Sequence, residues 1–172
     1  MSFELALRLV EIGVSLALIQ RSFEHLGRET KLFLPQGLLA SVLLVGAMPG
    51  PIIWGLWALC LWQLYRFQGA YNGGADKLMM LTLTCLALAH AAPSPFWSEL
   101  ALAYLAVQLV LSYFIAGWVK LTNPDWRSGS ALRDVFAFSA YPVAGNLREI
   151  ADRQTLTFTA SWSVIALSLI HI

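Results

Sequence analysis

The chain has 172 residues, of which 58% are hydrophobic and 12% are charged, and its mean hydropathy is +0.66. Soluble globular proteins carry about 25% charged residues, so this composition indicates an integral membrane protein. The formal net charge of +1 gives no reason to expect nucleic acid as a partner. Cys60 and Cys85 each lie inside an apolar run without a CxxC partner, which disfavours a redox dithiol or a metal cage.

The first apolar run, Phe3 to Gln20, is interrupted by three charged residues. Glu4, Arg8 and Glu11 recur at helical spacing, so one polar stripe can hold them all and turn toward other helices. This favours a membrane-spanning helix over an amphipathic helix that lies in the interface. Charges within the run, and the absence of a small-residue cleavage site after it, disfavour a signal peptide.

The second apolar stretch, residues 32–65, contains no charged residue and is too long for one span of about 20 residues. Met48-Pro49-Gly50-Pro51 divides it, and prolines in such a pattern are typical of a turn. We therefore predict two helices, over 32–48 and 51–66, joined by a tight hairpin.

Three further apolar runs follow and complete the prediction of about six spans. They cover residues 78–92, 99–121 and 156–172, and the last reaches the chain end without a polar cap, as a truncated chain would. Between the last two, Ser130 to Phe138 is predicted to form a short amphipathic helix. The predicted fold class is an all-α polytopic helical bundle that forms one transmembrane domain over residues 1–172.

Basic residues are distributed asymmetrically between the predicted loops. Loops 21–31, 66–77 and 120–154 hold ten of the eleven Lys and Arg residues and alternate along the chain with the opposite loops. The positive-inside rule places these three loops in the cytoplasm. This predicts a multi-pass membrane protein, with the lipid bilayer as its first partner.

Polar and small residues mark one face of the helix predicted over 99–121. Tyr104, Gln108, Ser112 and Lys120 are separated by four or eight residues, so they share a slowly drifting face. Gly117 is small enough to allow close helix packing or the entry of a flat ligand. Lys120 stands where the helix is expected to leave the hydrocarbon region.

Lys120 has a structural and a functional interpretation. It can snorkel to the interface or complement the helix C-terminus, and Asp76 or Asp125 could pair with it in a salt bridge. A lysine that is partly removed from water, by contrast, gives up its proton more easily and can serve as a general base near neutral pH.

Two motifs add a family resemblance. The sequence Tyr113-Phe114-Ile115-Ala116-Gly117-Trp118-Val119-Lys120-Leu121, followed by Asp125-Trp126 and Gly129, resembles the core signature of the HTTM membrane domain. This domain occurs in bacterial proteins and in vitamin K-dependent gamma-carboxylases. The sequence Asn72-Gly73-Gly74-x-Asp76-x-Leu78 resembles the loop that precedes a span in the bacterial members. Together the motifs extend the resemblance over about residues 36–140.

The resemblance implies a specific chemistry for Lys120. In carboxylases of this family the matching lysine is the base that deprotonates reduced vitamin K, so reduced vitamin K or menaquinone becomes the expected cofactor. An enzyme of this kind would have a quinone-dependent carboxylase or epoxidase-like activity. The carboxylases also have a large soluble portion after the membrane domain, which this chain lacks, and they act on the lumenal side rather than the cytoplasmic side.

Two alternatives remain beside the quinone hypothesis. The chain can be a non-catalytic membrane module for anchoring, for lipid or partner binding, or for transport. DoxX-type membrane proteins carry a similar A-G-x-x-K-L stretch, but near the N-terminus and beside thiol chemistry. Under the quinone hypothesis the candidate catalytic residue is Lys120, and the candidate ligand-binding residues are Asn72, Asp76, Gln108, Ser112, Gly117 and Trp126.

Overall fold

The computed structural model describes residues 2–27, 29–66, 74–138 and 153–170. Within these ranges the regular secondary structure is entirely α-helical, which confirms the predicted all-α class. Eight helices lie in the described part of the chain: α1 Phe3–His25, α2 Thr30–Val45, α3 Pro49–Arg66, α4 Gly74–Ala91, α5 Pro95–Thr122, α6 Pro124–Ser128, α7 Ser130–Phe138 and α8 Gln154–Ile170.

Several helices extend beyond the apolar runs that predicted them. Helix α1 continues into the polar segment as far as His25, and α4 begins at Gly74 rather than at residue 78. The hairpin between α2 and α3 comes earlier than predicted, because Gly46 ends α2 in the left-handed conformation with φ of 85°. Apolarity predicts the buried or lipid-facing part of a helix, whereas capping determines where it ends.

The chain divides into two compact units, Met1–Ala106 and Val107–Ile172. In the first unit, α1 packs on α2, α2 on α3, α3 on α4, and α4 returns to α1. These four helices surround an apolar core that includes Leu18, Leu43, Ile53, Leu56, Leu83 and Leu86. Short connections between successive helices produce this antiparallel arrangement.

Polar side chains are also buried among these four helices. Glu11, Ser15, Gln36 and Gln63 are each at most 3% exposed. The serine hydroxyl is satisfied within its own helix, since it donates to the Glu11 carbonyl oxygen at 2.7 Å. The two glutamines bond across helices, with Gln63 Nε2 on α3 donating to Gln36 Oε1 on α2. Large apolar side chains meanwhile lie exposed on the outside of the same helices, among them Leu16, Phe23, Leu38, Trp62 and Leu88.

In the second unit the short helices α6 and α7 pack against each other and against α8. Gly129 ends α6 with φ of 83° and lies directly against the first turn of α8. A Cβ at this position would come within 2.8 Å of the Phe158 backbone nitrogen. The glycine is therefore required twice, for its backbone conformation and for the close approach of α8.

Among the described helices, α5 alone is long and apolar enough to cross a membrane by length and composition. It has 28 residues, and few of its side chains are buried. Helix α2 and residues Thr155–Ser168 of α8 are apolar but shorter. This result favours membrane association. The sequence predicted about six spans, whereas among the described helices only α5 meets these criteria of length and composition.

Candidate site around Lys120

Lys120 lies in the last turn of α5 and is half-buried. Its Nζ donates a hydrogen bond to Ser168 Oγ on α8 at 3.0 Å. The same nitrogen lies 5.5 Å from the centre of the Trp126 ring on α6, within the range of a cation–π interaction. The amine is therefore held at the meeting point of three helices of the second unit.

The local sequence explains how Trp126 reaches Lys120. Helix α5 ends at Thr122, and Asn123 caps the next helix by accepting a hydrogen bond from the Asp125 backbone nitrogen at 2.8 Å. Pro124 follows at the first helical position, where its missing N–H is not needed. These two residues start α6 immediately after α5, so Trp126 comes back over the end of the helix that carries Lys120.

Ser168 is almost buried, at 9% exposure, and its hydroxyl proton is already committed. Oγ donates to the Val164 carbonyl oxygen one turn earlier in α8, at 2.8 Å. The oxygen can therefore only accept a hydrogen bond from Lys120. The polar partner of the amine is neutral.

The carboxylates that the sequence suggested as salt-bridge partners of Lys120 are engaged elsewhere. Asp76 pairs with Arg21, with 2.8 Å between Oδ1 and Nη1, and both belong to the first unit. Asp125 Oδ1 accepts a hydrogen bond from Ser130 Oγ at 3.4 Å. Among the described residues of the second unit, no carboxylate forms a salt bridge with Lys120. Asp125 therefore does not pair with Lys120 as the salt-bridge interpretation expected, and Asp76 has an ion-pair partner within its own unit.

The remaining predicted ligand-binding residues lie on more than one helix and in both units. Gln108, Ser112 and Gly117 lie on α5 with Lys120, where Gly117 is buried, Gln108 is half-buried and Ser112 is exposed. Asp76 lies in the first turn of α4, in the first unit. Asn72 lies outside the described residues. Of the predicted set, the structure brings Trp126 into contact with the Lys120 amine, and the others stay candidates by their position in the sequence.

A second polar cluster lies in the first unit, and the sequence predicted only part of it. Arg8 Nη1 contacts Glu11 Oε2 at 2.9 Å, and His90 Nε2 contacts Glu11 Oε1 at 2.7 Å. Arg8 also donates hydrogen bonds to the Leu43 and Leu44 carbonyl oxygens at the end of α2. The spacing of Arg8 and Glu11 indicated their shared face, whereas the sequence around His90 has no local pattern that points to Glu11.

No family model, curated protein or solved structure matches the chain in the comparisons made with each. The similarity to the HTTM domain therefore depends on the motifs around Lys120 and Asp76.

Proposed function

We propose that the chain is a multi-span membrane protein of the HTTM and vitamin K-dependent gamma-carboxylase-like class. Helices α1 to α5 and α8 would form the six spans, with loops 21–31, 66–77 and 120–154 on the cytoplasmic side of a bacterial inner membrane. The distribution of side chains in the first unit supports this. Buried Glu11, Gln36 and Gln63 face other helices, while large apolar side chains cover the outside, as expected where lipid replaces water.

The length of the helices is compatible with this proposal. At about 1.5 Å per residue, the 16 residues of α2 extend over about 24 Å, somewhat less than the hydrocarbon core of about 30 Å. A short span is accommodated by local thinning of the bilayer or by interfacial side chains that reach outward. Helices α3 and α4, with 18 residues each, come closer to the full thickness.

We infer that Lys120 is the proton acceptor of a site for a reduced quinone. The observation that carries this inference is that a half-buried amine lies beside a neutral hydroxyl and an indole ring, and that none of the described carboxylates of the second unit forms a salt bridge with it. A carboxylate partner would favour the charged form of the lysine and oppose its action as a base.

Lys120 and Trp126 match two chemical features of a hydroquinone. A bound hydroquinone supplies an acidic hydroxyl and a flat ring. The neutral amine of Lys120 can accept the hydroxyl proton and become an ammonium, and the face of the Trp126 ring stabilises the positive charge that forms. Apolar side chains exposed on α5, such as Phe114 and Trp118, suit a lipid-soluble molecule that arrives from the bilayer.

The test is oxygen-dependent epoxidation of reduced menaquinone by the purified protein in nanodiscs. Lys120→Ala should abolish turnover, since general-base catalysis contributes about 10²- to 10⁴-fold. Lys77→Ala is the matched control, because Lys77 is an exposed lysine in the first turn of α4. Turnover that survives in Lys120→Ala, or that is absent from the wild-type protein, would contradict the proposed function.

A non-catalytic membrane module is the second candidate, and one observation favours it. The contacts of Lys120 with Ser168 and Trp126 connect α5 with α8 and α6, so the lysine also stabilises the packing of these helices. Under this alternative Lys120→Ala would lower the thermal stability of the second unit, and neither variant nor wild-type protein would act on reduced menaquinone. Measuring unfolding and turnover on the same samples separates the two candidates.

A further inference from the structure

We propose that Ser168 is the positioning residue of the Lys120 site, where its hydroxyl oxygen accepts a hydrogen bond from the amine and directs it. This inference rests on the proposed function for its catalytic meaning, but the contact itself can be tested without turnover. Ser168 lies outside both sequence motifs, 48 residues after Lys120. Nothing in its local sequence distinguishes it from the other serines of α8.

The proton of the Ser168 hydroxyl determines which partner donates in the contact with Lys120. A free serine hydroxyl could donate to the lone pair of a neutral lysine amine, and this would block the electron pair that must accept a proton. Here the hydroxyl donates to the Val164 carbonyl oxygen at 2.8 Å, so Oγ presents only lone pairs to Lys120. The amine must therefore donate one N–H to Ser168 and keeps its own lone pair available.

The same contact serves both protonation states of the lysine. A neutral amine has two N–H groups and a lone pair, and an ammonium has three N–H groups. In either state one N–H can donate a hydrogen bond to Ser168 Oγ, at the 3.0 Å distance between Nζ and Oγ that the structure shows. Proton uptake then requires no rearrangement of the partner, which is the condition for efficient electrostatic preorganisation.

The packing of α8 explains why the serine can hold this position. At the other end of α8, the first turn lies against Gly129, where no Cβ would fit beside Phe158. Toward its C-terminal end Ser168 is buried and accepts from Lys120. The first turn of α8 is thus held against the end of α6, and the serine oxygen is presented by a helix rather than by a loop.

The first experiment measures the chemical reactivity of the amine. The protein in nanodiscs is treated with a membrane-permeable acylating reagent, and acylation of Lys120 is followed by mass spectrometry relative to Lys77. Ser168→Ala should change the Lys120 rate severalfold because the amine loses its anchor, whereas Ser168→Thr retains a hydroxyl and should restore the wild-type rate. Equal rates in wild type and Ser168→Ala would overturn the proposal.

The matched control is Ser163→Ala. Ser163 lies on the same helix and makes the same kind of bond to its preceding turn, from Oγ to the Thr159 carbonyl oxygen at 2.9 Å, but it is exposed and does not hydrogen-bond to Lys120. This variant measures the effect of removing a serine hydroxyl from α8 without removing a contact with Lys120. A shift in Lys120 acylation as large in Ser163→Ala as in Ser168→Ala would also overturn the proposal.

The second experiment links the contact to catalysis. Loss of one hydrogen bond to the base should lower kcat for reduced menaquinone about tenfold in Ser168→Ala, with little change in KM, and Ser168→Thr should recover most of it. An unchanged kcat in Ser168→Ala would contradict a positioning role. If acylation responds but wild-type protein has no turnover, the contact is established and the quinone function fails, so the two failures are distinguishable.

Discussion

Glu11 on α1 and His90 on α4 are in direct contact, with 2.7 Å between Oε1 and Nε2. The other carboxylate oxygen of Glu11 contacts the Arg8 guanidinium, which also donates hydrogen bonds to carbonyl groups at the end of α2. The Arg8 guanidinium thus lies at the C-terminal end of α2, where positive charge is favourable. One buried carboxylate thus connects three helices of the first unit.

Removal of Glu11 should destabilise the first unit strongly. The carboxylate is 3% exposed, and Glu11→Ala would leave Arg8 and His90 in partial burial without their shared partner. Breaking a buried charge pair costs about 3–5 kcal/mol, so we expect Glu11→Ala to lower the Tm by about 10 °C for a chain of this length. The measurement is thermal unfolding in nanodiscs, followed by circular dichroism.

Glu4→Ala is the control for this prediction. Glu4 is on the same helix and has the same charge, but its side chain is exposed. Removing it should change the unfolding temperature by no more than about 1–2 °C, since surface substitutions are usually within about 0.5 kcal/mol. Similar losses in both variants would mean that the charge of α1 matters, rather than the contact with His90.

These residues also show how far the sequence carried the prediction. The helical spacing of Arg8 and Glu11 predicted that they turn inward together, because periodicity along one helix is a local property. Their partner His90 is 79 residues away from Glu11 and could be found only from the packing of α1 on α4. Glu4 fits the same spacing yet is exposed, so the spacing overpredicted the polar face by one residue.

The two buried glutamines give a second prediction. Gln63 donates to Gln36, but Gln36 Nε2 and Gln63 Oε1 have no hydrogen-bond partner within the described residues. Gln36→Leu alone would leave Gln63 fully unpaired, at a cost of about 1–3 kcal/mol. The double variant Gln36→Leu/Gln63→Leu removes both polar groups and should recover most of that loss.

A double-mutant cycle in thermal unfolding tests this pair. The expected coupling between positions 36 and 63 is about 1–2 kcal/mol, with the double variant at least as stable as either single variant. Additive losses from the two single variants would show that the amides stabilise the bundle through other contacts. Recovery of stability in the double variant would also fit a bundle surrounded by lipid, where side-chain hydrogen bonds between helices contribute only about 0.6 kcal/mol on average.

A charge exchange tests the ion pair between Arg21 and Asp76. This pair joins the last part of α1 to the first turn of α4, and both side chains are largely buried, with 21% and 17% of their surfaces exposed. Arg21→Asp places two like charges together and should destabilise the protein by about 2–3 kcal/mol. The exchanged variant Arg21→Asp/Asp76→Arg restores opposite charges and should regain at least half of that loss.

The outcome also bears on the role assigned to Asp76 by the sequence motif. If Asp76 serves mainly to pair with Arg21, the exchanged variant should keep both its stability and any turnover of reduced menaquinone. Normal stability with lost turnover would support the ligand-binding role that the family resemblance implies. An exchanged variant as unstable as Arg21→Asp would indicate that more than the sign of the charges determines the contact.

At the Lys120 site, the sequence motif predicted the residues close to Lys120 in the chain but not its distant partner. The motif predicted Lys120, Trp126 and Gly129, which lie within ten residues and are connected by the caps of α5 and α6. It gave no indication of Ser168, because this residue follows Lys120 by 48 positions and no local spacing relates the two. The reason for the motif glycine became clear only from the position of the α8 backbone beside it.

Gly129 itself provides the sharpest prediction about the second unit. Gly129→Ala places a Cβ 2.8 Å from the Phe158 backbone nitrogen and 2.9 Å from the Thr157 carbonyl carbon, at a φ of 83° that alanine rarely adopts. Backbone cannot move aside as a flexible side chain can. A left-handed conformation alone costs about 1–2 kcal/mol for a non-glycine residue, and the clash adds to it, so α8 must shift away from α6.

The shift should be visible at the lysine as well as in stability. Because α8 carries Ser168, Gly129→Ala should change the acylation rate of Lys120 in the same direction as Ser168→Ala, together with a lower unfolding temperature. Gly13→Ala is the matched control, since nothing lies within 4 Å of a Cβ at Gly13 inside α1, and it should stabilise the helix by about 0.5–1 kcal/mol. Gly129→Ala with wild-type stability and wild-type acylation would mean that the approach of α8 to α6 does not position Ser168.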